Sequence, residues 1–181
     1  MKGVVFTKFL EMVEEEYGMA VAESVLDTNA GESGGIYSSI GTYDPAELVG
    51  MVGALARLTG TRHEHLLRTF GGFMLRFFES AYPAYFEREA DLFGFLKSVE
   101  HRIHVDVRKL YPDAELPSFA CRTPEPGVLE MTYRSKRRLP DFAEGLIAAC
   151  AERYRQPVSI AREDGEDGHG GYTRFTITKR A

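Results

Sequence analysis

Apolar residues recur at steps of three and four along the first half of the chain, and at alternate positions along much of the second half. Phe6, Phe9/Leu10, Val13 and Tyr17 mark a first helix, with Gly18 placed to end it. A second short helix over 20–27 leads into a glycine-rich turn, NAGESGG, at 29–35. Asp44 as N-cap, Pro45 at the first helical position and Glu47 in a capping box start a third helix. Gly50 and Gly53 inside it each cost about 1 kcal/mol relative to Ala, which predicts close packing there. Thr61-Arg-His-Glu repeats the capping signal and opens a helix through Ser80. Its apolar band, from Leu66 to Phe78, is too broad for a helix half in water. Pro83 breaks that pattern, a short turn follows, and Asp91 caps a helix running to about Tyr111 along Leu96, Val99, Ile103, Val107 and Leu110.

After Pro112 the period changes to two. PSFACRT and VLEMTYRS alternate around a Pro-Glu-Pro-Gly turn and predict an antiparallel hairpin. Pro140 and Asp141 open a further helix, closed by Gln156-Pro157. Two more strands, PVSIARE and GYTRFTITKR, flank a polar glycine-rich segment at 163–171 that reads as an exposed tip, with His169 inert within it. The expected fold is α+β: about seven helices, then a four-stranded antiparallel sheet carrying one inserted helix.

Composition narrows the class. A chain of 181 residues, 44% hydrophobic, supports one core and is read as a single domain over 1–181. A net charge of −5 disfavours nucleic acid as a main partner, since no excess of basic side chains is available for phosphates. No apolar run approaches the ~20 residues of a membrane span, and the N-terminal stretch lacks a signal-peptide pattern, so no membrane insertion and a cytoplasmic location are expected. Two cysteines, Cys121 and Cys150, make neither a disulfide framework nor a four-cysteine zinc site. With 12 Phe and 9 Tyr, many of the Phe between 70 and 95, the flat apolar surface is either core or the wall of a pocket for a flat ligand.

Candidate chemistry gathers at 96–137. At about 100° per residue, His104 sits at the margin of its helix's apolar line beside Tyr111, while His101 falls among Lys97 and Arg108 on the wet side. His63 and His65, two apart on a helix, cannot share a metal. In the strand GVLEMTYRSKR, alternation puts Leu129, Met131, Tyr133, Ser135 and Arg137 on one face. That face is apolar at its start, so it carries two hydroxyls and a guanidinium inward. All three can donate to one carboxylate. Each feature alone has a plainer explanation: an Arg137 ion pair with a nearby acid, and a His104 satisfied at an interface. Together with the Phe-rich helix they match what haem requires, namely an axial imidazole, donors for its carboxylate arms and apolar walls.

Tyr133-x-Ser135-x-Arg137 is the YxSxR motif, and with the MKG start, FGGFMLRFF at 70–78, IHVDVRKLYP and the order of elements the chain resembles the H-NOX (haem-nitric oxide/oxygen-binding) domains over nearly its full length. The resemblance implies haem b, with His104 rather than His101 as iron ligand. Tyr133, Ser135 and Arg137 would hold the propionates, and Pro117 would press on the ring. It also implies a helical distal part over 1–60 and a proximal part with the sheet over 61–181. Oxygen-binding members carry a distal tyrosine at the position of Phe142 here, and supporting polar residues at the positions of Phe9 and Met74. The expected distal pocket is therefore dry, lined by Val5, Phe9, Met74, Phe78, Phe142 and Leu146, and selects NO and CO over O2. Tyr17 and Tyr43 lie elsewhere in the helical part, and either one reaching in would add a hydroxyl to that pocket.

Similar stand-alone bacterial domains regulate a histidine kinase or a cyclic-di-GMP signalling enzyme, through release of the helix that bears the ligand histidine. No kinase, cyclase or phosphodiesterase signature lies in these residues, so the chain reads as a sensor and not an enzyme. The alternatives are an O2-binding or redox haem protein and a haem enzyme such as a peroxidase, which would want distal acid–base groups. A binder of another flat carboxylated ligand would leave His104 without a task. The zinc site of some relatives is not carried over to Cys121 and Cys150.

Overall fold

The computed structural model describes residues 1–28 and 31–180; Asn29 and Ala30, where the first glycine-rich turn was expected to begin, lie outside the described residues. The periodic stretches wind into α1 (Gly3–Tyr17), α2 (Met19–Asp27), α3 (Pro45–Thr59), α4 (His63–Ala81), α5 (Pro83–Glu87), α6 (Leu92–Ser98), α7 (His104–Leu110) and α8 (Pro140–Arg153). A π-helical turn, Val99–Ile103, joins α6 to α7 without a break, so seven helical segments result among the described residues. Strands β1 (Ser118–Arg122), β2 (Val128–Arg134), β3 (Val158–Asp167) and β4 (Gly170–Lys179) form one antiparallel sheet in the order β1-β2-β4-β3. This is the α+β architecture that the pattern of periods predicts. No helix of the described residues is long and apolar enough to cross a membrane.

Apolar side chains collect in two clusters. One joins α1, α2, α3 and the first half of α4 around Phe6, Phe9, Met12, Leu55 and Phe70; the other joins α6, α8 and the sheet around Leu92, Leu129, Ile147 and Phe175. Burying each such side chain contributes about 1.5–3 kcal/mol. Met74 belongs to the first cluster and its neighbour Leu75 to the second, so α4 is the seam between them. Along that seam α4 lies directly on α8. A Cβ added at Gly71 would lie 2.5 Å from the Phe142 carbonyl oxygen, and one added at Gly145 would overlap the Arg68 carbonyl and lie 2.7 Å from its Cα. Since these contacts are with backbone, no side-chain rotation relieves them. Gly145→Ala is expected to lower unfolding free energy by about 2 kcal/mol in urea titration, the usual scale of overpacking. An unchanged midpoint would show that the two helices separate freely.

Several local expectations are corrected. Close packing was expected at Gly53, but a Cβ there meets only the Arg57 and His63 side chains at 3.5 and 3.7 Å, which is ordinary contact. Asp44 does cap α3, accepting from the Ala46 N–H at 2.8 Å, while Glu47 turns to the Tyr37 hydroxyl at 2.8 Å and the Ser33 hydroxyl. Thr61 does not cap α4. The helix begins after Arg62 with no side-chain cap, because the turn is set by Gly60 in the left-handed region at φ 70° and by the Thr59 hydroxyl accepting from Thr61 N. The acidic segment read as a loop at 163–171 is mostly ladder: β3 pairs with β4 as far as Asp167 opposite Gly170.

Candidate functional site

The helix expected to run unbroken to Tyr111 contains the local feature that shapes the site. At Val99–Ile103 the winding widens, and the backbone N–H of His104 bonds to the Val99 carbonyl five residues back. π turns are rare and recur at functional sites. Past it, His104 is buried, 9% exposed, and His101 is exposed, as the face argument predicts, but Leu110, placed on the apolar line, is 71% exposed. The wide turn shifts the phase of everything beyond it.

The His104 ring is held on one side only. Its Nδ1 lies 3.1 Å from Glu100 Oε2, which also accepts from the Phe119 backbone N–H at 3.1 Å. Glu100 Oε1 accepts from Arg108 at 3.1 Å. A carboxylate only accepts, so Nδ1 carries the hydrogen and Nε2 presents a lone pair. Burial lowers the pKa of His104, outweighing Glu100, which raises it. Burial pushes Glu100 upward, but the Phe119 N–H, Arg108 and His104 together hold its carboxyl below its ordinary value. The Glu100 contact is absent from the sequence reading; its signal was the i, i+4 spacing to His104.

Alternation does not position the whole YxSxR motif. β2 ends at Arg134, and Ser135–Arg138 is a turn closed by Arg138 N–H donating to the Ser135 carbonyl at 3.3 Å, with Arg138 at φ 47°. Tyr133 is on the buried strand face; Ser135 and Arg137 are brought beside it by the turn. The Tyr133 oxygen accepts from Leu139 N–H at 3.2 Å, and the Ser135 oxygen accepts from Arg137 N–H at 3.2 Å. Both hydroxyl hydrogens are left to donate. Arg137 donates through Nη2 to the Glu115 carbonyl, but its nearest carboxylate is Glu115 at 3.9 Å, itself 62% exposed and paired with Lys136. Its Nε is buried with no acceptor, an arrangement that is costly unless something fills it. The other such nitrogen among the described residues, Arg68 Nε, at least faces Glu144 at 3.1 Å.

His104, Tyr133, Ser135, Arg137 and Pro117 all line one cavity of about 870 Å³, within the range for cofactor sites. Val5, Met74, Phe78, Phe142 and Leu146 line it as well, from α1, α4 and α8. Phe9 does not: it is fully buried in the first core cluster, edge-to-face on Phe70 at 5.2 Å, and it is Phe70 that lines the cavity. Tyr17 and Tyr43 are not among the lining residues either; the Tyr43 hydroxyl accepts from Ser38 N–H at 2.7 Å and its ring packs on Phe6 and Tyr37. Ile103, Val107, Leu116 and Phe119, none singled out as site residues, complete the wall around His104. Among the described residues, no group of three or more His, Cys, Asp or Glu is placed to hold a metal ion. A bare imidazole nitrogen, an orphaned guanidinium N–H, two hydroxyl donors and apolar walls fit a haem.

A pocket with these groups suits haem. The family described as haem-NO-binding matches residues 2–162, and the protein belongs to that family, the H-NOX domains. The crystal structure of the Fe(II) unliganded H-NOX protein from K. algicida is similar over 100% of this chain and 97% of that one, with a TM-score of 0.92 and 34% identity. An H-NOX protein from S. oneidensis in the Fe(II)NO state is similar over 100% of both chains with a TM-score of 0.89; at 24% identity this speaks to fold alone. Soluble guanylate cyclase gcy-35 of Caenorhabditis elegans is 27% identical over 175 residues, 93% of this chain. The chain spans 25% of that relative's length.

Proposed function

We propose that the protein is a gas sensor that takes NO and CO at ferrous haem b, excludes O2, and passes the signal to a separate cytoplasmic enzyme. The observation that carries this reading is the meeting, in one cavity, of His104 with its Nε2 free and of Arg137 with its buried Nε unpartnered. Haem, when bound, would supply a flat apolar ring, two carboxylate arms and an iron able to take a diatomic gas. Nε2 of His104 would hold the iron; Tyr133, Ser135 and Arg137 would bind the arms; Pro117 would press on the ring.

Gas selectivity is assigned from the wall that α1, α4 and α8 contribute. Val5, Phe70, Met74, Phe78, Phe142 and Leu146 carry no hydrogen-bond donor. Thr7 donates to the Val4 carbonyl at 3.2 Å, and Lys8 is held by Glu11 at 2.6 Å. Held dioxygen needs a donor and NO does not, so this wall favours NO. Lys8 and Glu11, the ionisable side chains that α1 adds to the lining, are paired with each other, which argues against a peroxidase-like enzyme that needs a free acid–base group there. The response would run through α7: His104, freed from its post, carries α7 and the connector to Pro117, moving one core cluster against the other as a ligand-biased two-state element. We assign the output to a partner chain, a histidine kinase or a cyclic-di-GMP enzyme.

The ferrous protein in air is expected to show no oxy spectrum, while NO shifts the Soret band at once; a stable oxy complex overturns the selectivity. Phe142→Tyr supplies the missing hydroxyl, and one hydrogen bond of about 1.4 kcal/mol should raise O2 affinity about tenfold, as gas titration would read.

A further inference from the structure

Glu100 makes three bonds, and each ends on a different part of the site. Oε2 takes the Nδ1–H of His104 at 3.1 Å and the backbone N–H of Phe119 at 3.1 Å, and Oε1 takes Arg108 at 3.1 Å. Phe119 lies in β1, its ring centroid 5.7 Å from that of His104. The carboxylate is therefore fixed between the sheet and α7 before it meets the imidazole. It lies within the π turn, and the widened winding is the local departure that separates α6 from α7 at this point. The side chain cannot swing away from Nδ1 without giving up two further bonds.

We propose that Glu100 is a positioning residue for His104, locking its tautomer and ring orientation and raising the electron-donating strength of Nε2 toward a bound metal. This rests on the reading of His104 as the haem ligand. A charge-assisted hydrogen bond is roughly twice as strong as a neutral one. By drawing the Nδ1 hydrogen toward itself, the carboxylate gives the ring partial imidazolate character, and such partners raise ligand basicity in metal sites generally. Among the described residues, Glu100 is the acid bonded to His104. Because the same oxygen also holds Phe119, displacement of His104 disturbs the edge of the sheet directly.

The test is resonance Raman of the ferrous haem protein, with redox titration, for Glu100→Gln and Glu100→Leu. Glu100→Gln keeps the shape and an acceptor carbonyl but removes the charge. The Fe–His stretching frequency is expected to fall in Glu100→Gln and further in Glu100→Leu, with the reduction potential rising in the same order. Haem transfer to apomyoglobin is expected to become about 10-fold faster in Glu100→Leu. A wild-type frequency and potential in Glu100→Gln would reduce Glu100 to a clamp between α7 and β1 and overturn the proposal, even if Glu100→Leu fails to fold. A Fe–His stretch that survives His104→Ala would instead overturn the ligand assignment, independently of Glu100.

Discussion

His104→Ala is expected to yield a folded protein that purifies without a Soret band and regains one when imidazole is added. The ring is buried in the cavity wall, and among the described residues no other histidine lines that cavity. Its removal leaves a gap the size of imidazole, which the free base can fill. Folding should survive because Glu100 keeps its bonds to Phe119 and Arg108 when the ring is gone. Losing an outer partner of a metal ligand typically lowers affinity about 10–100-fold; losing the ligand itself should exceed that. His101→Ala, on the exposed side, is the control and should leave the spectrum unchanged. A band that persists in His104→Ala without imidazole sinks the assignment.

Asp141→Ala should be the most damaging substitution away from the cavity. Its carboxylate, 12% exposed, accepts from Arg68 and from Arg162 through the same oxygen, at 2.9 Å each. Arg68 belongs to α4, Arg162 to β3 and Asp141 to the first turn of α8, where a negative charge also suits the helix N-terminus. One side chain thus ties both core clusters together. Removing one partner of a buried pair costs about 3–5 kcal/mol. Here the two guanidiniums are partly solvated and keep Glu144, at 3.1 Å from Arg68 and 3.7 Å from Arg162. A loss of about 3 kcal/mol is therefore expected, and at that size the drop in urea midpoint is unmistakable. Under 1 kcal/mol would mean that Glu144 takes over the role.

Periodicity made the elements legible because each has one wet and one dry side: the α1 stripe from Phe6 to Val13, and the alternation of Leu129, Met131 and Tyr133. It could not reveal the π turn, since Val99–Ile103 carries no Gly or Pro and the widening lies in backbone bonding. His104 was singled out by a face argument that assumed regular winding. Ser135 and Arg137 were singled out by an alternation that stops at Arg134, and the cavity gathers them through a turn instead. Phe9 and Phe70 look alike in sequence, and only their packing decides which ring faces the cavity. The acidic run at Glu163–Asp167 resembles a loop in composition, but pairing with β4 outweighs its weak strand propensity. Gly71 and Gly145 stand far apart in the chain, so their shared role is visible only once the helices touch.

A cavity of about 870 Å³ between two cores also bears on how much of the chain is folded at any moment. Its lining is largely apolar, from Val5 and Phe70 to Phe142 and Leu146, so a flat molecule that enters it buries apolar surface on both of its faces. A molecule that binds the folded chain and not the unfolded one adds about 2.7 kcal/mol at a hundredfold excess over its dissociation constant. Resistance of the protein to proteolysis should therefore rise with the haem supplied to it, which limited proteolysis with and without added haem would read. A cell short of haem would hold less of the sensor, before any gas arrives.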